Sequence, residues 1–275
     1  EIVQKWNTKL PTNSEKTHYS RYCVVKQLGE YMIRMGYPAY TALKLPSKIC
    51  KGTDFVPYIF SNDEIKRFFS AADNTPFSKH SPCQHLSYPL IFRLLYCCGL
   101  RLNEALCLKL KDIDLKKGVL HIKATKFDKN RLVPLTDSLM KHLTEYLTEV
   151  HSFSEPGALV FPSPKGGMYS HSAVYTKYRH YLRQAGIPYG GRKQGPRIHD
   201  FRHTFAIHCL VNWMKCGINI DNALPYLSVY MGHVNTEATH TYLKLTAQLF
   251  PEIINLTERY APDVIPRLEE NLYEE

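Results

Sequence analysis

The chain has 275 residues, of which 44% are hydrophobic and 22% are charged. This is ordinary globular composition, and no apolar run approaches the roughly 18 residues of a spanning helix, which argues against the disordered and membrane-spanning classes. The formal charge is +10, and the segment 251–275 has a net charge of −5, which leaves +15 on the preceding residues. A basic body of this kind favours a polyanionic partner, nucleic acid before an acidic membrane.

The eight cysteines include no CxxC pair. Cys97 and Cys98 lie inside an apolar run, where cysteine acts as a small hydrophobic residue. This usage is typical of reduced thiols in a cytoplasm and not of a disulfide framework or a zinc knuckle.

The N-terminal part predicts one amphipathic helix. Apolar residues recur at helical spacing over 17–35, and Gly36 and Pro38 follow as a stop. About forty residues hardly form an independent domain. Because the chain begins at Glu1 and not at methionine, we expect residues 1–45 to be the end of a helical domain that starts further upstream.

A second unit follows a stretch of linker composition, 46–57. Ser61 and Glu64 have the spacing of a capping box, which predicts a helix start. The nearly continuous apolar run 88–98 predicts a buried helix closed by Gly99, and "NEALCLKL" predicts another directly after it.

From Gly118 the apolar period changes from helical spacing to two. "KFDKN" then turns the chain into "RLVPL", which predicts an antiparallel hairpin with a lysine-rich tip. The further predictions are helices over 137–149 and 171–185, a short strand "ALVF" between them, and helices beyond residue 199 broken at Gly217 and near Gly232. The fold class is mostly α with a small antiparallel β-sheet, an α+β arrangement.

The stretch "IHDFRHTF", 198–205, admits two interpretations. His199 and His203 are four residues apart, as a helix-borne metal pair requires. His199 and Arg202 are three apart near a helix start, whose free N–H groups favour an anion. The metal site lacks an evident third ligand and would place Arg202 beside the cation, so the phosphate clamp is favoured and His203 is expected to pack or to form a hydrogen bond within the domain.

Two other clusters carry positive charge. Arg101 lies at a turn between two apolar helices with Glu104 one turn further on, which fits either a structural ion pair or an anion site. Lys126 starts the hairpin turn, and Lys129 and Arg131 follow it. A lysine on such a turn either contacts a bound substrate or is a solvated surface side chain.

These signals gain weight from their order. "GLRLNEAL" (99–106), "TKFDKNRLVPL" (125–135), "HDFRHTFA" (199–206) and "MGHVNTEATHTY" (231–242) together resemble the arginine boxes, lysine hairpin and nucleophile region of the tyrosine recombinase (phage integrase) family. The resemblance covers about residues 58–245. Asn103 and Thr125 stand where serine and glycine are common, and neither is a catalytic position.

The resemblance implies a domain organisation. Residues 58–248 correspond to the catalytic domain, and residues 1–45 to the C-terminal part of a helical core-binding, DNA-binding domain joined by the linker 46–57. The acidic segment 249–275 corresponds to a helix that docks on a neighbouring protomer; the alternative is a tail packed on its own domain.

The resemblance also implies a reaction and the residues that perform it. The nucleophile is a tyrosine that cleaves DNA to give a 3′-phosphotyrosyl link and a free 5′-hydroxyl, without metal, cofactor or ATP. Arg101 and Arg202 hold non-bridging phosphate oxygens as charged forks. The remaining roles fall to His233 as a further donor, His199 as proton acceptor, Lys126 as proton donor, Tyr242 as nucleophile, and Glu104 and His203 as supporting residues.

Basic residues outside this set are expected to contact DNA phosphates, the alternative being solvated surface side chains. They are Lys129, Arg131, Lys177, Arg179, Arg183, Arg192 and Lys193. The implied partners are a double-stranded recombination site, further protomers of the same chain (dimer to tetramer on DNA) and accessory DNA-bending proteins, with no membrane. The implied location is the cytoplasm of a prokaryote, on the nucleoid when DNA is bound.

The expected role is that of an integrase or transposase of a mobile element. Within the same chemistry the alternatives are an Xer-like chromosome-dimer resolvase and relaxation of DNA as by a type IB topoisomerase. Outside enzymes, the alternative is a DNA-binding regulator on the same fold. The zinc-hydrolase interpretation of the two histidines is the remaining alternative.

Overall fold

The computed structural model describes residues 2–8, 15–41, 56–123, 130–191, 195–232 and 242–243. Internal contacts divide the chain into two compact units, Glu1–Val56 and Pro57–Glu275. The division falls at the end of the predicted linker. The assignment of residues 1–45 to a DNA-binding domain stays a prediction.

The first unit contains helices α1 (Ile2–Asn7) and α2 (Glu15–Arg34). The Arg21 guanidinium lies 5.3 Å from the centre of the Trp6 ring, a cation–π contact between the two helices. Helix α2 confirms the amphipathic helix predicted over 17–35. Much of its apolar stripe is exposed, including Val24 and Leu28.

The second unit is mostly helical and carries one small sheet. Its described helices are α3 (Asn62–Asp73), α4 (Gln84–Cys97), α5 (Leu102–Leu106), α6 (Asp137–Val150), α7 (His171–Gln184), α8 (Asp200–Lys215) and α9 (Ile220–Met231). Its described strands are β1 (Ile113–Asp114), β2 (Val119–Ile122) and β3 (Arg131–Pro134), with a 3₁₀ turn over Leu110–Asp112. The strands pair antiparallel in the order β1–β2–β3. The predicted fold class is confirmed.

Local chemistry sets several helix ends. The predicted capping box is present, since Ser61 Oγ accepts from Glu64 N at 3.2 Å and Glu64 Oε2 accepts from Ser61 N at 2.8 Å. Side-chain oxygens of Thr136 and Ser170 cap α6 and α7. Gly232 ends α9 with φ +64°, a left-handed conformation that glycine adopts without steric cost.

The predicted hairpin is confirmed in its strands. Leu120 pairs with Val133, and both are fully buried. The next pair, His121 and Leu132, is exposed on the opposite face of the sheet. The turn of the hairpin, 124–129, lies outside the described residues.

Long-range pairing overrides two of the predictions. The helix predicted over "NEALCLKL" ends at Leu106, because the following backbone pairs with a distant segment: Val160 N donates to Leu108 O at 2.8 Å and Leu110 N donates to Ala158 O at 3.0 Å. The predicted strand "ALVF" is wrong, since it contributes only the isolated bridge of Leu159 with Lys109. The two residues of β1 are too few to show a period in the sequence.

Aromatic packing fixes the position of α8. The Phe201 ring lies 4.9 Å from the centres of both Phe60 and Phe68, in a cluster that also contains Phe92 and Tyr178. The rest of α8 packs with α9 in a second apolar cluster. Among the described helices, none has the length and hydropathy that a membrane crossing requires.

Candidate active site

The first turn of α8 is anchored on its inner side. Phe201 is fully buried in the aromatic cluster, and Thr204 Oγ1 accepts from Phe60 N at 3.1 Å. Asp200 is also buried and accepts from Arg197 N at 2.7 Å and from Arg197 Nη2 at 2.8 Å. Sequence reasoning left Asp200 without a role. In the structure it fixes the turn that precedes α8.

Arg202 is the buried cation of the site. It is 2% exposed, and its Nη1 donates to Gly99 O at 2.6 Å while its Nη2 donates to Met231 O. Burial and the charge of Arg101 lower the pKa of Arg202 to about 10, so the guanidinium is still charged at neutral pH. Met231 is the last residue of α9, whose terminal carbonyl groups carry the negative end of the helix dipole.

Arg101 approaches the same helix end from solvent. Its side chain is 43% exposed, and Nη2 donates to Gly232 O at 3.1 Å. Since Met231 and Gly232 are adjacent, the two arginines converge on the C-terminus of α9. The structure thereby brings together the two arginine boxes that the sequence keeps far apart.

Glu104 is the shared counter-ion of this region. Its side chain is 3% exposed, and it receives a bidentate ion pair from Arg131 at 2.9 and 2.7 Å and a hydrogen bond from Arg101 Nη1 at 2.8 Å. Burial by itself raises the pKa of Glu104, but the hydrogen bonds and charges of the two arginines outweigh it and hold the pKa at about 2. The ion pair between Arg101 and Glu104 considered from the sequence is present.

The placement of Arg131 corrects a prediction. Sequence reasoning expected Arg131 on the surface, in contact with DNA phosphates. Its side chain is 7% exposed, and both terminal nitrogens bind Glu104. Arg131 therefore neutralises a buried carboxylate in this structure, and its contact with DNA phosphates stays a prediction.

His199 lies at the N-terminal end of α8 and is exposed. Its ring centre lies 4.8 Å from that of His203, in an edge-on contact. Partial desolvation and the positive charge of Arg202 lower the pKa of His199 to about 4. The imidazole is neutral at pH 7, which suits it to donate one N–H to an anion and makes it a weak proton acceptor.

Tyr242 contacts His203 and not solvent. It is 4% exposed, its Oη lies 3.0 Å from His203 Nδ1, and the two ring centres are 5.6 Å apart. Burial raises the pKa of Tyr242, although the positive charges of Arg202 and Arg101 act in the opposite direction. The phenol is therefore protonated at neutral pH and hydrogen-bonded to the histidine.

Six of the predicted site residues lie together, and five others cannot be placed. Arg101, Glu104, His199, Arg202, His203 and Tyr242 lie in one connected region of hydrogen bonds, ring contacts and charges. Lys126, Lys129, Arg192, Lys193 and His233 lie outside the described residues.

Sequence reasoning missed the carbonyl groups that orient the two arginines. Gly99 and Gly232 signalled helix ends, and both have positive φ, +57° and +64°. A Cβ atom on Gly99 would lie 2.6 Å from Phe205 Cδ1, so only glycine fits there. A glycine at a helix end predicts the turn, but it does not predict that an arginine side chain donates to a carbonyl group of that turn.

Three predicted DNA-contacting residues line one surface cleft beside α7. Lys177, Arg179 and Arg183 border a cleft of about 840 Å³ that also contains Tyr189. Arg179 and Arg183 are exposed, whereas Lys177 Nζ lies 5.6 Å from the centre of the Tyr88 ring. Within the described ranges, no group of three or more His, Cys, Asp or Glu side chains is arranged to hold a metal ion.

Sequence comparison relates the chain to known recombinases. The sequence model of the phage integrase family matches residues 59–248. The y4rB protein of Sinorhizobium fredii, named as an integrase/recombinase, is 36% identical over 208 residues, which cover 74% of this chain and 66% of y4rB. Tyrosine recombinase XerD of Proteus mirabilis is 32% identical over 161 residues, 58% of this chain and 47% of XerD. The matched part of the chain spans between about half and two thirds of these relatives.

Solved structures show the same fold. XerH site-specific recombinase, in a post-cleavage complex with palindromic difH substrate, superposes with a TM-score of 0.69 at 22% identity over 94% of this chain and 71% of XerH. The Tn1549 transposon integrase, in complex with circular intermediate DNA, gives a TM-score of 0.62 at 16% identity over 88% of this chain and 80% of that chain. The resemblance seen in the sequence is confirmed. The chain belongs to the phage integrase family, with a tyrosine recombinase catalytic domain over residues 59–248.

Proposed function

We propose that this chain is a site-specific DNA recombinase, an integrase or transposase of a mobile element, in which Tyr242 attacks DNA to form a 3′-phosphotyrosyl intermediate. One observation carries the proposal. The Tyr242 hydroxyl is held 3.0 Å from His203 Nδ1, beside Arg202 and within the electrostatic reach of Arg101. A tyrosine so placed among cations has the surroundings that attack on a phosphodiester requires.

The proposed chemistry depends on positioned charge. Phosphoryl transfer needs orientation and stabilisation of the phosphate oxygens more than covalent machinery. Arg101 and Arg202 each supply a fork of N–H donors, and neutral His199 supplies another donor. His233 and Lys126 keep their predicted roles as phosphate donor and as proton donor to the departing 5′-oxygen. The covalent link conserves the phosphodiester energy, so rejoining requires no ATP.

Access to this chemistry requires a rearrangement. Arg202 and Tyr242 are 2% and 4% exposed, so a scissile phosphate reaches them only after neighbouring chain moves aside. Arg101 and His199 are open to solvent. We propose that DNA first meets the open residues and that binding uncovers the buried ones.

The proposed DNA path includes the cleft beside α7. Lys177, Arg179 and Arg183 line this cleft, which supports their proposed contacts with phosphates, and Lys129, Arg192 and Lys193 keep their predicted phosphate contacts. The DNA-bound states of XerH and the Tn1549 integrase support a duplex as partner by likeness of fold. Assembly with further protomers, accessory DNA-bending proteins and action at the nucleoid in the cytoplasm belong to the same proposal.

The test traps the covalent intermediate. The full chain is incubated with a library of nicked duplexes of random sequence, in which loss of the short fragment beyond the nick prevents rejoining, and denatured products are sequenced. We expect a protein–DNA adduct at a 3′-phosphate, with the modified peptide containing Tyr242, and no adduct with Tyr242→Phe. An adduct that persists in Tyr242→Phe contradicts the assignment of Tyr242 as the nucleophile. If the wild-type protein forms no adduct, the proposed recombinase activity is contradicted.

An Xer-like resolvase is the second candidate, because XerD is among the relatives and XerH among the similar structures. The trapped sequences distinguish the roles. Sites at the ends of a mobile element support the integrase or transposase, whereas a chromosomal palindrome-like site supports the resolvase. Relaxation of supercoiled plasmid without strand exchange would instead indicate topoisomerase-like action.

A further inference from the structure

His203 occupies the position next to the reacting hydroxyl. It lies in the first turn of α8, directly after Arg202, and its Nδ1 is 3.0 Å from Tyr242 Oη. The ring of His199 faces it edge-on. His203 is thus the histidine that is hydrogen-bonded to Tyr242, whereas the sequence analysis assigned the role of proton acceptor to His199.

We propose that His203 Nδ1 accepts the phenol proton of Tyr242 as Tyr242 Oη attacks the phosphorus; this rests on the proposed function. The Oη–P bond forms, and the P–O5′ bond breaks with its electron pair leaving on O5′. The phenol proton passes to Nδ1 and makes His203 an imidazolium. The departing O5′ takes its proton from a separate donor, Lys126 in the proposed mechanism, and rejoining runs through the same transfers in reverse.

The hydrogen bond joins the two atoms between which the proton must pass, Tyr242 Oη and His203 Nδ1. A neutral imidazole with its proton on Nε2 accepts at Nδ1, and a protonated phenol donates to it. The buried phenol holds its proton at neutral pH, so a base must remove it during attack. Among the contacts of the described residues, the histidine hydrogen-bonded to this phenol is His203 and not His199.

The charges around His203 are consistent with proton transfer in the DNA-bound state. Arg101 and Arg202 favour the phenolate that attacks, and Glu104 offsets part of their charge. The same arginines disfavour an imidazolium beside them. The bound phosphate brings negative charge to this region and removes that penalty when the reaction takes place.

The chain offers a matched control on the same helix. His208 Nδ1 lies 3.0 Å from Tyr96 Oη, the same pair of atoms at the same distance as in the His203–Tyr242 pair. His208 lies on α8 and Tyr96 on α4, and both line a surface pocket whose lining contains neither Arg101 nor Arg202. Asparagine keeps a hydrogen-bonding amide near the Nδ1 position at either site but does not take up a proton.

The experiment measures the rate of adduct formation in a single turnover on a nicked duplex that traps the intermediate. Two substrates are compared, one with the ordinary 5′-oxygen as leaving group and one with sulfur at that position. The sulfur leaves without needing a proton. His203→Asn is expected to slow the adduct on the order of 100-fold with both substrates. Lys126→Ala is expected to regain its rate on the sulfur substrate, because a sulfur leaving group does not need the proton that Lys126 supplies. His208→Asn is expected to react at the wild-type rate.

A second measurement separates proton transfer from positioning. Fluorotyrosine at position 242 has a more acidic phenol and depends less on a base, so it should restore a large part of the rate lost in His203→Asn. Should that variant fail to fold by circular dichroism, His203→Gln takes its place. A wild-type rate in the folded variant overturns the inference and leaves the proposed function intact. Absence of rescue by fluorotyrosine also overturns it, whereas an inactive wild-type protein counts against the proposed function.

Discussion

The site consists of two halves that hold positive charge in different ways. The open half, Arg101 and His199, is exposed to solvent, and Arg101 is paired with the carboxylate of Glu104. The closed half, Arg202, His203 and Tyr242, is mostly buried, and the guanidinium of Arg202 is held by carbonyl oxygens. Arg101 and Arg202, one from each half, both donate to carbonyl groups at the C-terminus of α9.

The difference shows two solutions to the cost of a desolvated cation. A partly exposed guanidinium keeps water on one side, and a carboxylate holds its orientation. A fully buried one needs oriented dipoles on every side, which the turn at Gly99 and the end of α9 supply. We therefore expect changes in the closed half to affect activity and stability together, and changes in the open half to separate them.

Loss of Arg202 should have the largest effect on the rate of adduct formation. Arg202→Met removes a phosphate donor and leaves the carbonyl groups of Gly99 and Met231 without their donors. We expect adduct formation to fall on the order of 1000-fold and the free energy of unfolding to fall by about 2 kcal/mol. Arg101→Met should slow the adduct on the order of 100-fold and change stability by less than about 1 kcal/mol. Single-turnover trapping and urea unfolding test the contrast, and equal destabilisation by both variants contradicts it.

Glu104 should matter for stability more than any exposed acid. Glu104→Gln leaves Arg131 buried without its counter-ion, because the side chain of Arg131 is 7% exposed. We expect the free energy of unfolding to fall by about 3 kcal/mol. Glu145→Gln on α6 is the control, since Glu145 and its partner His142 are about half exposed. Equal urea midpoints for the two variants would show that the buried pair contributes no more than a surface pair.

Acid should weaken two groups of the site, Glu104 and His199, in different pH windows. The folded pKa of Glu104 is about 2 against 4.5 for an ordinary glutamate, so its contribution is complete above pH 4.5 and lost as pH falls toward 2. The shift corresponds to about 3 kcal/mol. The folded pKa of His199 is about 4 against 6.5, so the unfolded chain takes up that proton first and stability falls from pH 6.5 toward 4. Because His199 is exposed, we expect the smaller loss there.

Urea unfolding across these pH ranges measures both losses. His199→Gln should remove the decline in the upper window, and Glu104→Gln the decline in the lower one. A wild-type stability that stays constant from pH 4.5 to pH 2 would show that Glu104 is not held by its arginines as the structure indicates.

Removal of one surface cation beside α7 should have the smallest effect. Arg179→Ala should lower the affinity for duplex DNA and reduce the slope of log affinity against log salt concentration by about 1. Stability should be unchanged, because Arg179 is exposed. Lys141→Ala, an exposed lysine on α6, is the control, and an equal change in slope there would place Arg179 among general surface charges.

The sequence by itself determined the elements and the family. The capping box at Ser61, the change of period after Gly118 and the apolar run before Gly99 depend on neighbouring residues, and each local rule gave the right element. The order of the motifs identified the family before any contact was known. Local rules failed at "NEALCLKL", where the backbone pairs with a distant segment, and at "ALVF", which forms only one isolated bridge.

Only the tertiary structure decided how the site residues are paired. Arg131 looked like a surface cation in its hairpin, and folding places it against Glu104. Sequence reasoning made His199 the proton acceptor and His203 a supporting residue, whereas folding places the Tyr242 hydroxyl next to His203. Charge, hydrogen-bond partner and exposure are properties of the space around a side chain, and that space is assembled from segments far apart in the chain. The sequence therefore names the reactive groups, and the fold determines which of them are buried, paired and in contact.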